Sequence, residues 1–353
     1  MRDIIKDLCL AHINNYPKAC EQDILKLIFQ GEFGPGHLIQ DEARSKKYIE
    51  EEYASVKDAG EATEFAEEIG FGFCRLHLSA LDKTDLSIDT LHRLFILSAL
   101  SLCGSNQGFL QKVETVKELC GDGILPFNAE KLDSVISDWQ KGVYHPFRHS
   151  EAFRKAYSPA YRIIKSEYSK FIPLFSKIDN AMKHHPHVIL AVDGDAAAGK
   201  TTLAGIINLI YNCNIVPMDH FFLRPEQRSE KRLAEPGGNI DYERFKNEVS
   251  DFLISSKPFS YQPFDCRIWD FGKEIFVEPN KLTVVEGSYA LHPNLSDIYD
   301  IKVFLSVDKE EQMQRIVLRN GPEMSEKFRD IWIPMEKRYH QSYNIQSSCD
   351  LVF

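Results

Sequence analysis

A run of residues in the second half of the chain has the spacing of a phosphate-binding loop. Gly194-Asp195-Ala196-Ala197-Ala198-Gly199-Lys200-Thr201 fits the pattern G-x-x-x-x-G-K-[ST] in full. The glycines let successive backbone N–H groups turn inward around an anion, and the start of the following helix adds the positive end of its dipole. Lys200 supplies a point charge to the β and γ phosphates, and the hydroxyl group of Thr201 suits Mg²⁺. The run, extended to Thr202, therefore predicts a nucleotide phosphate site.

Acidic residues follow two further predicted strands and could complete the chemistry of phosphoryl transfer. Asp219 comes directly after an apolar segment that ends at Met218, and Glu286 follows Val285. In an open parallel sheet, the carboxyl ends of neighbouring strands converge near the loop after the first strand. One carboxylate there can hold Mg²⁺, and another can accept a proton from an attacking hydroxyl group. Position alone leaves open the alternative that each acid caps the helix that follows it.

The elements that must position these residues alternate along this half of the chain. Short apolar runs rich in β-branched residues predict strands at 188–192, 215–218, 282–285 and 301–307, with helical segments between them. Strands that alternate with helices favour a mostly parallel sheet with helices on both faces. The predicted fold class is therefore α/β.

Residues 187–353 resemble the uridine kinase and phosphoribulokinase family of P-loop kinases, and the uridine kinases most of all. Besides the loop at 194–202, the matching elements occur in the family's order: Met218-Asp219-His220-Phe221-Phe222, Asn239-Ile240-Asp241, Pro263-Phe264-Asp265, Val285-Glu286-Gly287, the segment 308–320, and Cys349-Asp350-Leu351-Val352. The resemblance implies a P-loop kinase-type sheet and a kinase that uses ATP and Mg²⁺. Its acceptor would be a hydroxyl group on a nucleoside (uridine- or cytidine-like) or sugar-like small molecule.

The resemblance also implies roles for individual side chains. Asp219 would orient or deprotonate the acceptor hydroxyl group and, with Thr201 and Glu286, hold the metal ion. Arg315 and Arg319 would close over the phosphates that Lys200 binds. In the acceptor pocket the resemblance implies Asp241 and Phe264, and Arg267 and Trp269 are further candidates for this pocket. For Arg267 and Trp269, packing beneath a surface turn is an equal alternative.

Several positions depart from the family's pattern. Two arginines of its arginine-rich lid are missing from the segment that contains Gln312, Ile316 and Asn320, and Gly321-Pro322 ends that segment early. Phe264 lacks the hydroxyl group of the family's tyrosine, and Trp269 stands where the uridine kinases place a histidine that contacts the pyrimidine. These departures predict an acceptor pocket that differs from that of the uridine kinases.

The first half of the chain is predicted to be a mainly helical domain of residues 1–183, followed by a boundary at 183–186 and a kinase domain at 187–353. Two polar clusters stand out in it: the loop 31–37 with Glu32 and His37, and the segments 145–151, with His145 and Ser150, and 157–162. They are compatible with a second ligand site, with a surface closing over the kinase pocket, or with loop closure and helix capping by Ser150, which we favour. The acid-rich stretch 41–68 is interpreted as a solvated helical face.

Composition limits the remaining function classes. The chain has 353 residues, 43% of them hydrophobic and 27% charged, which is typical of a globular protein of about two domains. The net charge of −10 argues against a nucleic-acid partner. The cysteines are scattered without a C-x-x-C pair, which predicts free thiols in a reducing compartment.

The chain begins without the apolar block of a signal peptide and has no segment that predicts a membrane span. We therefore expect a cytoplasmic protein with a small-molecule acceptor and no membrane partner, and a homo-oligomer is compatible with the sequence. Two alternatives stay open: a nucleotide-dependent binding or regulatory protein without turnover, and a kinase for a phosphoribulose- or pantothenate-like acceptor. The acceptor's identity, the preference for ATP or GTP and the role of the first half are not determined.

Overall fold

The computed structural model describes residues 1–36, 41–57, 65–100, 104–141 and 146–353. His37 and His145, which the sequence analysis singled out, lie outside the described residues. The chain divides into two compact units, Met1–Ser176 and Lys177–Phe353. This division lies inside a helix, before the segment 183–186 where the sequence predicts the domain boundary.

The first unit is mainly helical, as predicted, and also contains a small antiparallel sheet. Its helices are α1 (Arg2–Asn15), α2 (Glu21–Phe33), α3 (Glu42–Val56), α4 (Ile88–Ala99), α5 (Asn106–Gly121), α6 (Ala129–Lys141), α7 (Glu151–Tyr157), α8 (Ser166–Ser169) and α9 (Ile172–His184), which runs across the division. Its strands, in the order β1-β2-β3, are β1 (Ala66–Gly70), β2 (Phe73–His77) and β3 (Tyr161–Lys165). The sequence analysis missed this sheet because β2 is buried on both faces and lacks the alternation typical of a strand.

Polar side chains enter the interior of the first unit from this sheet. The guanidinium of Arg75 is buried, and it donates to Glu67 Oε1 at 3.1 Å and to Gln30 Oε1 at 3.0 Å. Glu67 lies in the acid-rich stretch 41–68, so the interpretation of that stretch as a solvated helical face is wrong for this residue. Glu32 is likewise buried in α2, against Lys112, and is not displayed on a loop.

A second chain of hydrogen bonds links α2 to the segment before α7. His149 Nδ1 lies 3.0 Å from Asp23 Oδ1, and His149 Nε2 lies 2.7 Å from the hydroxyl oxygen of Tyr161. The hydroxyl group of Ser150 accepts from Phe153 N at 3.1 Å, which confirms Ser150 as the N-cap of α7. Because Ser150 also donates to Asp23, these polar residues tie three parts of the unit together.

The second unit is an α/β fold with short irregular segments between its main elements. Its strands are β4 (Val188–Gly194), β5 (Asn214–Pro217), β6 (Phe259–Tyr261), β7 (Phe264–Asp265), β8 (Asp270–Phe271), β9 (Ile275–Val277), β10 (Leu282–Glu286), β11 (Ile301–Leu305) and β12 (Leu351–Val352). Its helices after α9 are α10 (Lys200–Tyr211), α11 (Glu230–Ala234), α12 (Tyr242–Phe245), α13 (Asp251–Ile254), α14 (Lys309–Asn320), α15 (Pro322–Lys327) and α16 (Ile333–Ser342).

The main sheet has five parallel strands in the order β12-β11-β4-β10-β5. Its register aligns the strand ends: Glu286 pairs with Val192 on one side and with Pro217 on the other, and Leu305 pairs with Gly194. The strands β4 and β10 are buried throughout, as expected for a parallel sheet covered on both faces. The predicted parallel α/β fold is confirmed, and it brings the phosphate-binding loop and the two acidic strand ends to one edge.

Two properties of the described residues bear on the expected environment. None of their helices has both the length and the apolar character that crossing a membrane requires. The cysteines among them are all free thiols.

Candidate active site

The phosphate-binding loop connects β4 to α10. Gly194 begins it with φ 141°, and a Cβ atom on this residue would lie 2.1 Å from the carbonyl oxygen of Leu305, so only glycine fits. Ala197 also has a positive φ of 58°, which is uncommon for a residue with a side chain. Lys200 begins α10, and its Nζ donates to the carbonyl oxygens of Gly194 and Asp195 at 2.8 and 2.9 Å. The ammonium group and the first backbone amides of α10 thus converge on the loop, as anion binding requires.

A buried carboxylate joins this loop to the end of β10. Asp193 is fully buried and accepts hydrogen bonds from Gly194 N at 2.7 Å, from Leu291 N at 2.9 Å and from the Tyr339 hydroxyl group at 2.8 Å. Leu291 lies in the segment that follows Glu286. Asp193 therefore fixes the position of the end of β10, where Glu286 lies, relative to the phosphate-binding loop.

A second buried carboxylate supports the loop from α16. Glu336 accepts from Ala196 N at 3.0 Å and from the Ser288 hydroxyl group at 2.7 Å. Burial raises the pKa of this carboxyl group, while the positive charge of Lys200 lowers it. The sequence analysis missed Glu336, because it lies more than a hundred residues from the loop and no local pattern marks it.

The predicted metal-binding residues lie together at the edge of the sheet. The Thr201 hydroxyl group lies 3.1 and 3.2 Å from the two carboxylate oxygens of Glu286. Burial raises the pKa of the Glu286 carboxyl group, and the negative charge of Asp219 raises it further, while Thr201 and Lys200 act in the opposite direction. Asp219 therefore lies close enough to Glu286 for their charges to interact.

Gly287 allows this close approach between the ends of β5 and β10. It has φ 138°, and a Cβ atom on it would lie 2.9 Å from Met218 Cβ and 3.5 Å from Asp219 Oδ1. The side chain of Asp219 is exposed, whereas Glu286 is buried. The two acids thus have different environments, one open to an incoming substrate and one enclosed beside Thr201.

These oxygen donors fit a magnesium ion that also binds nucleotide phosphates. Among the described residues, no group of three or more His, Cys, Asp or Glu side chains forms a metal site made by the protein alone. Mg²⁺ in nucleotide enzymes is typically held by one or two protein oxygens together with waters and phosphates. The Thr201 hydroxyl group and the carboxylates of Glu286 and Asp219 are donors of this kind.

The predicted lid arginines lie on α14, and their contacts differ. Arg315 donates to the carbonyl oxygen of Ala197 at 3.0 Å, so it contacts the phosphate-binding loop. Arg319 donates to its neighbour Asn320 at 2.8 Å, and its exposed side chain has no hydrogen bond to the loop. Gln312, at the position of a missing lid arginine, donates to the Ala196 carbonyl oxygen at 3.0 Å.

The predicted acceptor residues Asp241 and Phe264 are both buried. Asp241 caps α12 by accepting from Arg244 N at 3.0 Å, and it accepts from Gln227 Nε2 at 2.7 Å. An acceptor hydroxyl group at Asp241 would have to compete with these bonds. The Phe264 ring packs edge-on against Phe271, with ring centroids 6.1 Å apart.

The other two predicted acceptor residues lie in the turn between β7 and β8. Arg267 is 89% exposed and pairs with Asp265 at 2.6 Å, which favours the surface-turn alternative for this residue. Trp269 is 51% exposed. The guanidinium of Arg228 lies 4.5 Å from the centroid of the Trp269 ring. The sequence analysis did not select Arg228, because no motif includes it.

The second unit is similar in sequence to curated uridine kinases. A candidate uridine kinase of Schizosaccharomyces pombe is 27% identical over 187 residues, which cover 46% of this chain and 78% of the relative. Uridine-cytidine kinase C of Dictyostelium discoideum is 28% identical over 41% of this chain, and the match spans 33% of that relative's length. The uridine kinase of Latilactobacillus sakei is 24% identical over 41% of this chain and 72% of the relative. No family model matches the chain.

The second unit, Lys177–Phe353, thus resembles kinases that have a phosphate-binding loop, and it is named the kinase domain here. Among solved structures, a possible uridine kinase from Bacillus stearothermophilus covers 51% of this chain with 17% identity and a TM-score of 0.39. The shikimate kinase of Bacteroides thetaiotaomicron covers 47% with 16% identity and a TM-score of 0.24. These three sequence relatives each cover less than half of the chain, so the kinase resemblance concerns the kinase domain alone.

Proposed function

We propose that the kinase domain transfers the γ-phosphoryl group of ATP, bound with Mg²⁺, to a hydroxyl group of a small molecule of the nucleoside or sugar class. The observation that carries the proposal is the contact of Glu286 with Thr201, beside the loop that holds Lys200, together with the position of the Asp219 carboxylate close to Gly287, the residue after Glu286. A phosphate-binding loop alone does not distinguish a kinase from other nucleotide-binding proteins. An exposed carboxylate beside it supplies a proton acceptor for an attacking hydroxyl group.

The chain's own residues would act mainly by positioning and by neutralising charge. Lys200 would turn from the carbonyl oxygens of Gly194 and Asp195 to the bound phosphates. Thr201 and Glu286 would hold Mg²⁺, which when bound supplies positive charge to the transferring phosphoryl group. Arg315, which already contacts the loop, would add a further positive charge there.

Asp219 would complete the reaction at the acceptor side. Its carboxylate would accept the proton of the acceptor hydroxyl group as that oxygen forms a bond to the γ phosphorus and the bond to the ADP oxygen breaks. Because its side chain is exposed, it is accessible to a small molecule that enters from solvent. The curated relatives named as uridine kinases support a nucleoside as one acceptor class.

The test measures ADP release with MgATP and a panel of nucleosides, pentoses and pantothenate-like alcohols. One acceptor should stimulate turnover, and Asp219→Asn should lower the stimulated rate by about 10²- to 10⁴-fold while ATP still binds. Asp297→Asn removes an exposed carboxylate elsewhere in the same domain and should leave the rate unchanged. ATP binding without any acceptor-stimulated turnover would contradict the proposal and favour a nucleotide-dependent binding or regulatory protein.

A further inference from the structure

One arginine at the acceptor side of the kinase domain has no carboxylate within salt-bridge distance among the described residues. Arg228 donates through Nε to the carbonyl oxygen of Leu223 at 3.0 Å, and its guanidinium lies over the Trp269 ring. Three neighbouring arginines are instead paired with acids: Arg224 with Glu226, Arg244 with Glu248, and Arg267 with Asp265. Arg228 therefore differs from these three arginines, because no carboxylate pairs with its positive charge.

The thiol of Cys266 relates Arg228 to the proposed proton acceptor. Partial burial raises the pKa of this thiol, the positive charge of Arg228 lowers it, and the negative charge of Asp219 raises it. Both charges thus act on one side chain in the turn between β7 and β8. The geometry agrees with this, because Arg228 contacts the turn through Trp269, and residues 218–221, which include Asp219, pack against β7 at the start of the turn.

Trp269, whose ring lies beneath the guanidinium of Arg228, has an uncommon backbone conformation. Trp269 has φ 56°, and it is maintained by hydrogen bonds to the Asp265 carbonyl oxygen from Trp269 N at 2.8 Å and from Ile268 N at 3.2 Å. A bulky residue in this left-handed region stores backbone strain. Trp269 is half-exposed, and its ring packs edge-on against that of Phe264, with centroids 6.3 Å apart. The turn also presents the ring to the guanidinium of Arg228.

We propose that Arg228, supported by the Trp269 ring, binds an anionic group, a carboxylate or a phosphate, on the acceptor whose hydroxyl group is phosphorylated. This inference rests on the proposed kinase function. A guanidinium presents paired N–H donors that match the oxygens of both anions. An anionic acceptor would otherwise be repelled by Asp219 and Glu286, and Arg228 offsets that repulsion. A neutral nucleoside would leave this cation without an anionic partner.

The test compares pairs of acceptors in which one member carries an anionic group and the other carries a neutral hydroxyl group in its place. The pairs are ribose 5-phosphate with ribose, pantothenate with pantothenyl alcohol, and glycerate with glycerol, each measured by ADP release with MgATP. The anionic member of one pair should be the better acceptor, and which pair responds distinguishes phosphate from carboxylate. Arg228→Gln should raise the KM for that anion by about 10- to 100-fold, with a smaller effect on kcat and little effect on the neutral member.

Two further variants separate binding from a loss of structure. Arg228→Lys keeps the charge and loses the paired donors, so its KM should lie between those of the native protein and Arg228→Gln. Lys273→Gln removes one exposed positive charge shortly after the same turn and should leave the KM unchanged. A KM for the anion that is equal in native protein and Arg228→Gln would overturn the proposal.

The outcomes also separate this proposal from the kinase function. If neutral acceptors, including uridine or cytidine, are phosphorylated as well as their anionic counterparts and the rate depends on Asp219, the anionic acceptor is refuted and the kinase function is supported. If no acceptor in the panel stimulates ADP release, both proposals are refuted together.

Discussion

Replacing Gly287 by alanine tests the backbone geometry that brings the two acidic strand ends together. The φ angle of 138° lies in a region that residues with a side chain rarely adopt. The added Cβ atom would lie 2.9 Å from Met218 Cβ, 3.3 Å from Met218 N and 3.5 Å from Asp219 Oδ1. Two of its neighbours are therefore backbone or Cβ atoms, which a side-chain rotation cannot move away.

The structure sets the size of the effect. Backbone strain of this kind costs about 1–3 kcal/mol, and overpacking against buried neighbours costs about 1–3 kcal/mol more. For a domain of this size, each kcal/mol lowers the melting temperature by about 2–4 °C, so Gly287→Ala should lower that of the kinase domain by roughly 4–24 °C. A shift of Asp219 by about 1 Å should also lower acceptor phosphorylation by about 10²-fold.

Calorimetry on the full chain measures the first effect, and ADP release with the responding acceptor measures the second. Gly205→Ala is the matched control, because Gly205 lies within α10, has no positive φ and has no atom within 4 Å of an added Cβ. It should stabilise the domain by about 0.5–1 kcal/mol. If Gly287→Ala melts at the same temperature as the native protein, the strain and contacts described here are not present.

Two further predictions concern buried carboxylates. Glu286→Gln should stabilise the protein without nucleotide, because burial and the charge of Asp219 raise the pKa of Glu286 and make its ionised form unfavourable in the fold. The gain in stability, measured by calorimetry, should appear as pH rises above the pKa that Glu286 has in the unfolded chain, and it should be larger in mildly alkaline than in mildly acidic buffer. A gain that is the same at every pH would contradict this cause. Phosphorylation of the acceptor should fall by about 10²-fold. For Asp23, burial acts to raise the pKa, but the hydrogen bonds from His149 and Ser150 lower it overall. The ionised form of Asp23 therefore stabilises the first unit at neutral pH. Asp23→Asn should lower the free energy of unfolding by about 3 kcal/mol at neutral pH, and by less as pH falls through the acid range, as measured by urea unfolding at several pH values. An equal loss at every pH would refute this prediction.

Some features of the kinase domain depend only on residues that are adjacent in sequence, and these could be predicted from the sequence. The phosphate-binding loop needs a glycine-bounded turn between a strand and a helix, and all of its parts are adjacent from Gly194 to Thr201. Buried parallel strands are marked by continuous apolar runs, so β4, β5, β10 and β11 were predicted within a few residues of their ends. The convergence of Asp219 and Glu286 follows from the rule that parallel strands end at one edge, together with the order of the motifs.

The features that depend on distant residues could not be predicted. In the small sheet of the first unit, β3 pairs with β2, which lies more than eighty residues earlier, and the buried Arg75 and Glu67 have the residue types of a solvated surface. In the kinase domain, Glu336 and Arg228 match no motif, and only the fold brings one to Ala196 and the other to Trp269.

The sequence by itself determined that the second unit is a parallel α/β domain with a nucleotide phosphate site, because local spacing controls backbone turns and strand burial. The tertiary structure decided how the remaining candidates are placed: it engages Asp241 as a helix cap, leaves Arg267 on the surface and sets Arg228 over the ring of Trp269. The physical reason is that the charge balance of a site is a sum over side chains brought together from separate elements, and spacing along the chain carries no record of that sum.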